Sequence, residues 1–534
     1  MLRPGTSKFV FSLPDAFALS RASPCPSNTD PRLLSTESKT IRSIPFFNIL
    51  WASLSKVDLT IHYAKPTSKT SVCVAYINYT LDPSSSSSTA FAASWVARLL
   101  ERAYGESQRN KRIKVLINPY GGAGKAAKWY TRDIEPIFAA AQCEVDVERT
   151  AYMGHAVEIA EKIDESRYDV IASCSGDGLP HEVFNGLARK PNASEALRKV
   201  AVVQLPCGTG NAMSWNLNGT GNCSMAALCI VKGLRTPLDL ASVTQGEKRT
   251  ISFLSQSVGI VAESDLGTDN VRWMGSARFT YGFFVRLLGK TVYPCEIAIK
   301  TEIADKAGCK THYKAEIAKG RHLVDSASEA ASTDDLESPE LRGRGLPKLK
   351  YGTVTSPLPS SSSGWTPLTA YPTLGNFYCG NMTIMAEAAP FFPSALPADG
   401  LLDLVTIDGL IGRVKSISSL LAVEKGTFFD MDHVNVRKIS AYRIVPKFGR
   451  WAEGKTAGTP KSRIGKVLKA IGISGGSSGN RDGGYISIDG EKIPFEPFQV
   501  EVHKGLGTTL SRSGFMYESP GQAGWEDTGA RPAD

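Results

Sequence analysis

Three glycine-rich segments follow short apolar runs in the first half of the chain: NPYGGAGKA at 118–126, SGDGLPHEVFNG at 175–186 and LPCGTGN at 205–211. Small residues at such turns let backbone N–H groups and a helix N-terminus approach an anion closely. The first segment lacks the P-loop spacing before Lys125, and alone it fits an ordinary glycine turn as well as a phosphate site. Three such turns in succession predict a polyphosphate bound through backbone N–H groups.

Two carboxylates in the second segment could take part in phosphate chemistry. Asp177 stands between two glycines, and Glu182 lies in the helix predicted to follow. A carboxylate at such a turn can accept a hydroxyl proton or orient a metal-bound phosphate, as phosphoryl transfer requires. The alternative for Asp177 is an ordinary turn aspartate, and the alternative for Glu182 is a solvated charge on the helix surface. His181 is expected to be hydrogen-bonded rather than a metal ligand, because no companion ligand lies at helical spacing.

Alternating strands and helices are predicted to position these turns. Residues 115–117, 144–149, 169–172 and 200–204 have the short apolar runs of strands, and stretches of helical periodicity lie between them. This βα repeat predicts a mostly parallel sheet covered on both faces. Ligands of such sheets bind beyond the carboxyl ends of the strands, which is where the glycine-rich turns fall. Strands dominate after residue 240, which predicts a second, mainly antiparallel lobe.

The predicted fold class is α/β, with an N-terminal βα nucleotide-binding lobe that has a parallel sheet, and a C-terminal antiparallel, β-sandwich-like lobe. A small β-rich N-terminal unit precedes both. Polar, Ser-rich and Gly-rich stretches suggest the boundaries between them. The predicted organisation is a disordered N-terminus at 1–40, the small unit and a linker at 41–88, the βα lobe at 108–240, a β-rich lobe at 241–505 with mobile insertions at 327–367 and 455–482, and a disordered tail at 506–534.

Composition places the ordered part among globular proteins, since 42% of the residues are hydrophobic and 21% charged. The formal net charge of +9 suits nucleic acid, an anionic membrane or a polyphosphate. Nucleic acid is disfavoured because the Lys and Arg residues are dispersed and no nucleic-acid motif occurs. The ten cysteines form no CxxC pair, which favours free thiols. No apolar run approaches the roughly 20 residues of a membrane span, so a soluble or peripheral protein is expected.

The wording of the three segments resembles a known family. NPYGGAGKA, SGDGLPHEVFNGL and LPCGTGNA are similar to the diacylglycerol-kinase catalytic domain, and the GDGLxHEVxNGL pattern is specific to its sphingosine kinase branch. The resemblance runs from about residue 113 to 299 and resumes at 375–408 and 485–503. The whole arrangement, with its N-terminal unit and long insertions, resembles fungal sphingoid long-chain-base kinases. The resemblance implies that residues 108–240 are a diacylglycerol-kinase-type catalytic domain that binds the nucleotide, and that the β-rich lobe at 241–505 binds the lipid.

The resemblance implies roles for particular residues. Asp177 would be the general base toward the lipid hydroxyl, and Ser175, Gly176 and Gly178 would touch the substrate with it. Asp265 would meet the amine of a sphingoid base, with an ordinary core or turn aspartate as the alternative. The residues implied to bind ATP are Asn118, Pro119, Tyr120, Thr150, Ala151, Tyr152, Met153, Gly154, Glu182, Gly208, Thr209, Gly210, Arg272, Arg278, Asp489, Gly490 and Glu491.

Two positions depart from the family pattern. Tyr120 stands where an arginine is common, which leaves only a backbone role toward phosphate. Pro180 replaces an apolar residue, and the first turn of a helix tolerates proline. The implied cofactors are ATP and Mg²⁺, with no protein ligand of the metal directly assignable, although the turn at 489–491 could help to hold it.

The implied function is an ATP-dependent lipid kinase, a sphingosine (sphinganine) kinase that phosphorylates the primary hydroxyl of sphingosine, dihydrosphingosine or phytosphingosine to the 1-phosphate. The alternatives are a diacylglycerol or ceramide kinase, for which Asp265 would have no use, and a non-enzymatic lipid-binding scaffold. The implied partners are the sphingoid base and, through peripheral contact, a membrane, without nucleic acid; homodimerisation stays open. The expected location is the cytoplasm, at the surface of intracellular membranes.

Overall fold

The computed structural model describes residues 8–11, 42–56, 58–80, 86–267, 292–326, 345–387, 389–452 and 483–518. None of the helices in these ranges combines the length and the hydropathy that crossing a bilayer requires. Four sheets are present in them, of two, three, four and eleven strands.

The N-terminal unit is a three-stranded antiparallel meander followed by a helix. A two-stranded ribbon precedes the meander, and its first strand, Lys8–Phe11, lies inside the stretch 1–40 that the sequence predicted to be disordered. The aromatic and β-branched residues of KFVF favour that strand. The helix begins at Ser86, within the predicted linker. The elements are β1 (Lys8–Phe11), β2 (Arg42–Pro45), β3 (Ile49–Ser55), β4 (Asp58–Pro66), β5 (Val72–Thr80) and α1 (Ser86–Tyr104).

This unit shares one hydrophobic core with the lobe that follows it. The hydroxyl of Tyr104 donates to the carbonyl of Leu50 at 2.6 Å, which fixes α1 against β3. The N–H of Val72 donates to Oγ of Ser224, 152 positions further on, at 3.0 Å. The meander therefore packs as a layer of the βα lobe.

The second unit is the predicted βα lobe, and its four strands are all parallel in the order β7-β6-β8-β9. Every residue of the central strand β8 and of β9 is buried. The elements are β6 (Arg112–Ile117), α2 (Ala126–Trp129), a π-helical turn (Tyr130–Ile134), α3 (Glu135–Ala140), β7 (Glu144–Arg149), α4 (His155–Lys162), β8 (Val170–Ser175), α5 (Gly178–Ala188), α6 (Ala193–Lys199), β9 (Ala201–Pro206), α7 (Ala212–Asn218) and α8 (Cys223–Lys232).

The third unit is an antiparallel sheet of eleven strands around a second hydrophobic core, which confirms the predicted β-rich lobe. Single 3-10 turns lie at Phe46–Asn48, Ser361–Ser363, Phe428–Asp430 and Gly449–Trp451. The elements are β10 (Leu234–Gln245), β11 (Lys248–Ser252), β12 (Ser255–Gly259), α9 (Ile260–Leu266), β13 (Cys295–Ile303), α10 (Lys306–Ser326), β14 (Thr369–Tyr371), β15 (Leu374–Gly380), β16 (Leu402–Asp408), α11 (Arg413–Glu424), β17 (Val434–Pro446), β18 (Ile486–Ile488), β19 (Glu491–Ile493) and β20 (Phe498–Ser511).

Two stretches predicted to be mobile or disordered have fixed places. Residues 345–367 pack on the sheet, because the buried carboxylate of Glu501 accepts hydrogen bonds from the N–H groups of Lys350 and Tyr351, and Trp365 is buried. The predicted tail from 506 instead completes β20, which pairs with β10. The rest of the first insertion (327–344), the insertion at 455–482 and residues 519–534 lie outside the described residues.

Candidate active site

A cavity of about 910 Å³ opens where the carboxyl ends of β6, β8 and β9 face the second lobe. Seventeen of the predicted site residues line it: Asn118, Tyr120, Thr150, Tyr152, Met153, Ser175, Gly176, Asp177, Gly178, Glu182, Gly208, Thr209, Gly210, Asp265, Asp489, Gly490 and Glu491. Pro119, Ala151 and Gly154 are adjacent in sequence to lining residues without lining the cavity themselves. Arg272 and Arg278 lie outside the described residues.

The three glycine-rich turns touch one another through backbone atoms. A Cβ atom on Gly208 would lie 2.2 Å from the Cα of Gly176, and one on Gly122 would lie 2.6 Å from the carbonyl oxygen of Cys207. Gly122 also has a φ of +56°, a conformation that side chains disfavour. Only glycine permits this approach, so the turns form one continuous backbone surface at the edge of the sheet.

Asp177 connects two of these turns. Its Oδ1 accepts hydrogen bonds from the N–H of Met213 at 2.9 Å and from Nε2 of Gln204 at 3.3 Å, and its Oδ2 accepts one from the N–H of Ala212 at 3.0 Å. Burial raises the pKa of this carboxyl, and the three donors only partly offset that effect. Oδ2 retains a lone pair for another donor. Asp177 therefore anchors the first turn of α7 and can also accept a proton.

Glu182 holds the loop before α4. Its two oxygens accept hydrogen bonds from the N–H groups of Gly154 at 3.0 Å and Ala156 at 3.1 Å. Gly154 is the N-cap of α4 and Ala156 lies in its first turn, where N–H groups have no partner within the helix. Glu182 thus fixes the segment 150–154, and Thr150, Tyr152 and Met153 of this segment form one wall of the cavity.

Asp489 connects the β-rich lobe to α5 of the βα lobe. Its carboxylate accepts from the hydroxyl of Ser252 at 2.6 Å and from three N–H groups of residues 253–255 at 2.9–3.1 Å. Nδ1 of His181 lies 2.8 Å from its Oδ2. His181 is hydrogen-bonded as expected, and its pKa is raised: burial lowers it, but the carboxylates of Asp489, Glu491 and Glu182 more than compensate.

The same turn brings a second carboxylate to the cavity. Oε1 of Glu491 is so close to Gly178 that a Cβ there would lie 2.6 Å from it, which places this carboxylate beside Asp177. In the described part of the chain, no group of three or more His, Cys, Asp or Glu side chains could hold a metal ion. Mg²⁺ in phosphate sites, however, needs only one or two carboxylates besides the phosphate oxygens. The carboxylate of Glu491, which lines the cavity, fits that requirement.

The cavity is strongly acidic. Among its described lining residues are no Lys or Arg and seven carboxylates, namely Asp177, Glu182, Asp265, Glu387, Glu424, Asp489 and Glu491. Such a wall attracts a divalent cation or an amine. A phosphate group in this cavity would need backbone N–H groups, a cation, or groups outside the described residues to offset its charge.

Part of the wall is apolar. Val261, Phe391, Leu420 and Val423 line this cavity and also a neighbouring one of about 50 Å³. Val261 and Asp265 are four residues apart in α9 and so lie on one face of that helix. The hydroxyl of Ser487 donates to Oδ2 of Asp265 at 3.3 Å. An acid and an apolar surface are thus presented together.

Sequence reasoning missed several residues of the site. Phe391, Leu420 and Val423 gave no signal, because their segments look like ordinary core. Gln204 could have been found, because a polar residue inside the apolar run of a buried strand requires a hydrogen-bond partner. Its Nε2 donates to Asp177 at 3.3 Å, and its Oε1 accepts from the N–H of Ser214 at 2.8 Å.

Comparison with known proteins gives two family matches. The model of the diacylglycerol kinase catalytic domain matches residues 112–243. That of a domain of unknown function (DUF7493) matches residues 10–105.

Three relatives cover most of the chain. Sphingoid long chain base kinase 5 of Saccharomyces cerevisiae is 35% identical over 82% of this chain and 64% of its own length, so the chain spans less than two thirds of it. Sphingoid long chain base kinase 4 of Schizosaccharomyces pombe is 31% identical over 88% of each chain. Sphingosine kinase 2 of Homo sapiens is 27% identical over 76% of this chain and 71% of its own.

Proposed function

The chain belongs to the family of sphingoid long-chain-base kinases, and we propose that it transfers the γ-phosphate of ATP to the primary hydroxyl of a sphingoid base. The proposal rests on the set of residues that line one cavity. Asp177 and the glycine-rich turns line it together with Asp265 and an apolar wall. A phosphate donor, a cationic amine and an aliphatic tail each have a matching surface there.

ATP is proposed to lie along the edge of the parallel sheet. The backbone of the turns would receive its phosphates, and the 150–154 wall, held by Glu182, would contact the nucleoside. Because the described lining has no Lys or Arg, Arg272 and Arg278 remain the proposed source of positive charge. Mg²⁺, held by phosphate oxygens and Glu491, would offset negative charge at the transferring phosphoryl group.

Asp177 is the proposed general base. The lipid hydroxyl oxygen forms a bond to the γ-phosphorus as the bond from that phosphorus to the β–γ bridging oxygen breaks, ADP leaves, and the hydroxyl proton passes to Oδ2 of Asp177. A raised pKa suits this role, since it makes the carboxylate a better proton acceptor. The hydrogen bonds from α7 hold the carboxylate in place meanwhile.

Asp265 is the proposed determinant of substrate class. Its carboxylate can pair with the amine of a sphingoid base, whereas a neutral lipid offers it no charge. Val261, on the same face of α9, and Phe391 would contact the aliphatic tail.

Initial rates on dihydrosphingosine, phytosphingosine, ceramide and diacylglycerol test the proposal. We expect the wild type to prefer the two amines and Asp265→Asn to lose about ten- to a hundredfold in kcat/KM on them, as is typical for a hydrogen bond to a charged group. Asp265→Glu, which keeps the charge, should recover part of the loss. A wild-type preference for ceramide or diacylglycerol would indicate a neutral-lipid kinase instead, and absence of turnover on all four a lipid-binding scaffold.

A further inference from the structure

A row of hydroxyl groups crosses the sheet of the β-rich lobe where this sheet faces the cavity. In the strand register, Ser257 of β12 is paired with Tyr378 of β15 on one side and with Ser487 of β18 on the other. Cross-strand partners project from the same face of a sheet. All three residues are buried, and all three line the cavity. We call Ser257, Tyr378 and Ser487 the hydroxyl row.

The opposite face of the same three strands is apolar. One position along the register, Val258 is paired with Phe377 and with Ile486, and these three residues belong to the hydrophobic core of the lobe. Side chains alternate between the two faces of a strand, so the core takes one face and the hydroxyl row the other. Buried polar groups need hydrogen-bond partners, and three of them side by side need several.

The two serines of the row differ in their hydrogen bonds. The hydroxyl of Ser487 donates to Oδ2 of Asp265 at 3.3 Å. The hydroxyl of Ser257 makes no hydrogen bond to another group in the described part of the chain, although it opens into the cavity. Such a hydroxyl is satisfied by a water molecule or by a ligand that enters the cavity. Ser257 is therefore available to a polar group of the substrate.

The row connects the acidic part of the cavity to its apolar part. Asp265 lies at the Ser487 end. At the other end, the ring of Tyr378 meets that of Phe391 edge-on, with the ring centroids 5.2 Å apart. Phe391 belongs to the apolar wall. The order along this side of the cavity is thus a carboxylate, three hydroxyl groups and an aromatic ring.

Tyr378 lies within the field of both acids that are proposed to act on the lipid. Burial raises the pKa of its hydroxyl, and the carboxylates of Asp265 and Asp177 raise it further, although the neighbouring hydroxyl of Ser255 lowers it. The phenol therefore stays protonated at neutral pH and can donate a hydrogen bond to the lipid.

We infer that the hydroxyl row recognises the hydroxyl groups at C3 and C4 of a sphingoid base, with Ser257 and Tyr378 as the contacts of the 4-hydroxyl, and that the enzyme prefers phytosphingosine to dihydrosphingosine. The order of groups along the cavity is the order along that lipid: an amine at C2, hydroxyls at C3 and C4, then the aliphatic tail. Dihydrosphingosine has a methylene at C4, which leaves the hydroxyl of Ser257 without a partner from the lipid. The inference rests on the proposed function, because the pairing of the amine with Asp265 positions the lipid along the row.

Steady-state kinetics on short-chain, water-soluble forms of the two bases test the inference. We expect the wild type to have a kcat/KM about three- to tenfold higher for phytosphingosine, which is the usual contribution of one hydrogen bond. Ser257→Ala should remove most of this preference by lowering kcat/KM for phytosphingosine without lowering that for dihydrosphingosine, and Tyr378→Phe should act in the same direction. The matched control is Ser264→Ala, which should keep the wild-type ratio. Ser264 also lines the cavity, but its hydroxyl donates to the carbonyl of Ile260 at 2.7 Å.

The outcomes separate this inference from the proposed function. Equal kcat/KM values for the two bases in the wild type, or a wild-type ratio in Ser257→Ala, would overturn the inference and leave the proposed function standing. An equal loss on both bases is included in that second result, and it would give Ser257 a structural role only. If the wild type phosphorylated neither base, the proposed function would be removed, and isothermal titration of both bases into the same proteins would decide the inference. Tighter binding of phytosphingosine that Ser257→Ala abolishes would support it, and equal affinities would overturn it.

Discussion

Asp177 has two tasks that a substitution can separate. Its carboxylate caps α7 through the N–H groups of Ala212 and Met213, and its raised pKa makes it a proton acceptor at the cavity wall. An asparagine keeps the size and one acceptor oxygen. Its amide group, however, cannot take a proton, and it turns a donor toward one of the two N–H groups.

Asp177→Asn should lower kcat about 100- to 10,000-fold, the usual contribution of a general base, with ATP affinity changed only a few-fold. Turnover on dihydrosphingosine and isothermal titration with ATP measure the two effects. Thermal unfolding reports the capping loss by itself, and Gln204→Ala, which removes one donor and leaves the carboxylate, is the control. Near-normal kcat in Asp177→Asn would show that another group accepts the proton.

The sequence predicts which residues gather at the site better than it predicts what their side chains do. Glycines that follow apolar runs indicate a phosphate-binding edge of a sheet. They can be recognised in the sequence because the pattern is local. The partners of the acids are not local: Glu182 bonds to N–H groups 26 and 28 positions earlier, and Asp489 to groups more than 230 positions earlier. From the sequence alone, a carboxylate that caps a distant turn cannot be distinguished from one that contacts a ligand.

At the scale of elements, α5 organises the site. It begins at the Asp177 turn, carries Glu182 to the first turn of α4 and carries His181 to the turn between β18 and β19. Gly186 lets α4 and α5 approach closely, since a Cβ there would lie 2.4 Å from the carbonyl oxygen of Val157. Displacement of this helix would therefore reach the walls of the cavity in both lobes.

Glu182→Gln should weaken ATP binding more than it slows the chemical step. A glutamine offers one acceptor where the carboxylate offers two, so one N–H at the start of α4 loses its partner and the 150–154 wall loosens. Loss of a helix cap typically costs about 1 kcal/mol, which corresponds to about a fivefold rise in KM for ATP. Initial rates at varied ATP test this, with Glu161→Gln, an exposed residue of α4, as the control. An equal rise in KM for ATP in both variants would show that general destabilisation of the helix causes it.

The elements that sequence reasoning placed wrongly had low local hydrophobicity or followed a polar stretch. The Ser-rich segment 345–367 is ordered by the distant Glu501 and by the carbonyl groups that Arg443 contacts at Thr353 and Ser356. Strand β20 continues to Ser511 because β10 supplies its ladder. Neither partner can be identified from the segments themselves, whereas the βα lobe was predictable because apolar runs and turns alternate within a short span.

At the scale of the whole molecule, the lobes are joined by buried polar contacts that respond to pH. His181 in α5 faces the carboxylates of Asp489, Glu491 and Glu182, which together raise its pKa above the ordinary value of about 6.5. Asn185, one turn later, approaches Nε2 of His181 at 3.3 Å and donates to the carbonyl of Ile251 in β11. The imidazole thus lies at the junction of both lobes.

Replacing His181 should change stability in one particular pH window. Because its folded-state pKa is raised, its protonated form stabilises the fold fully below about pH 6.5, and this contribution is lost as pH rises through the folded pKa. The Tm difference between wild type and His181→Gln should therefore be largest in mild acid and shrink above pH 6.5. Scanning calorimetry across that range measures it.

His503 supplies a control of opposite sign. Burial, aided by Arg249, lowers its pKa to about 3, so its neutral form stabilises the fold above about pH 6.5 and the contribution declines as pH falls below that value. The Tm difference for His503→Gln should hence be flat above pH 6.5, where that for His181→Gln changes. Equal pH profiles for the two variants, or a pH-independent difference for His181→Gln, would show that the junction between the lobes does not depend on the charge of His181.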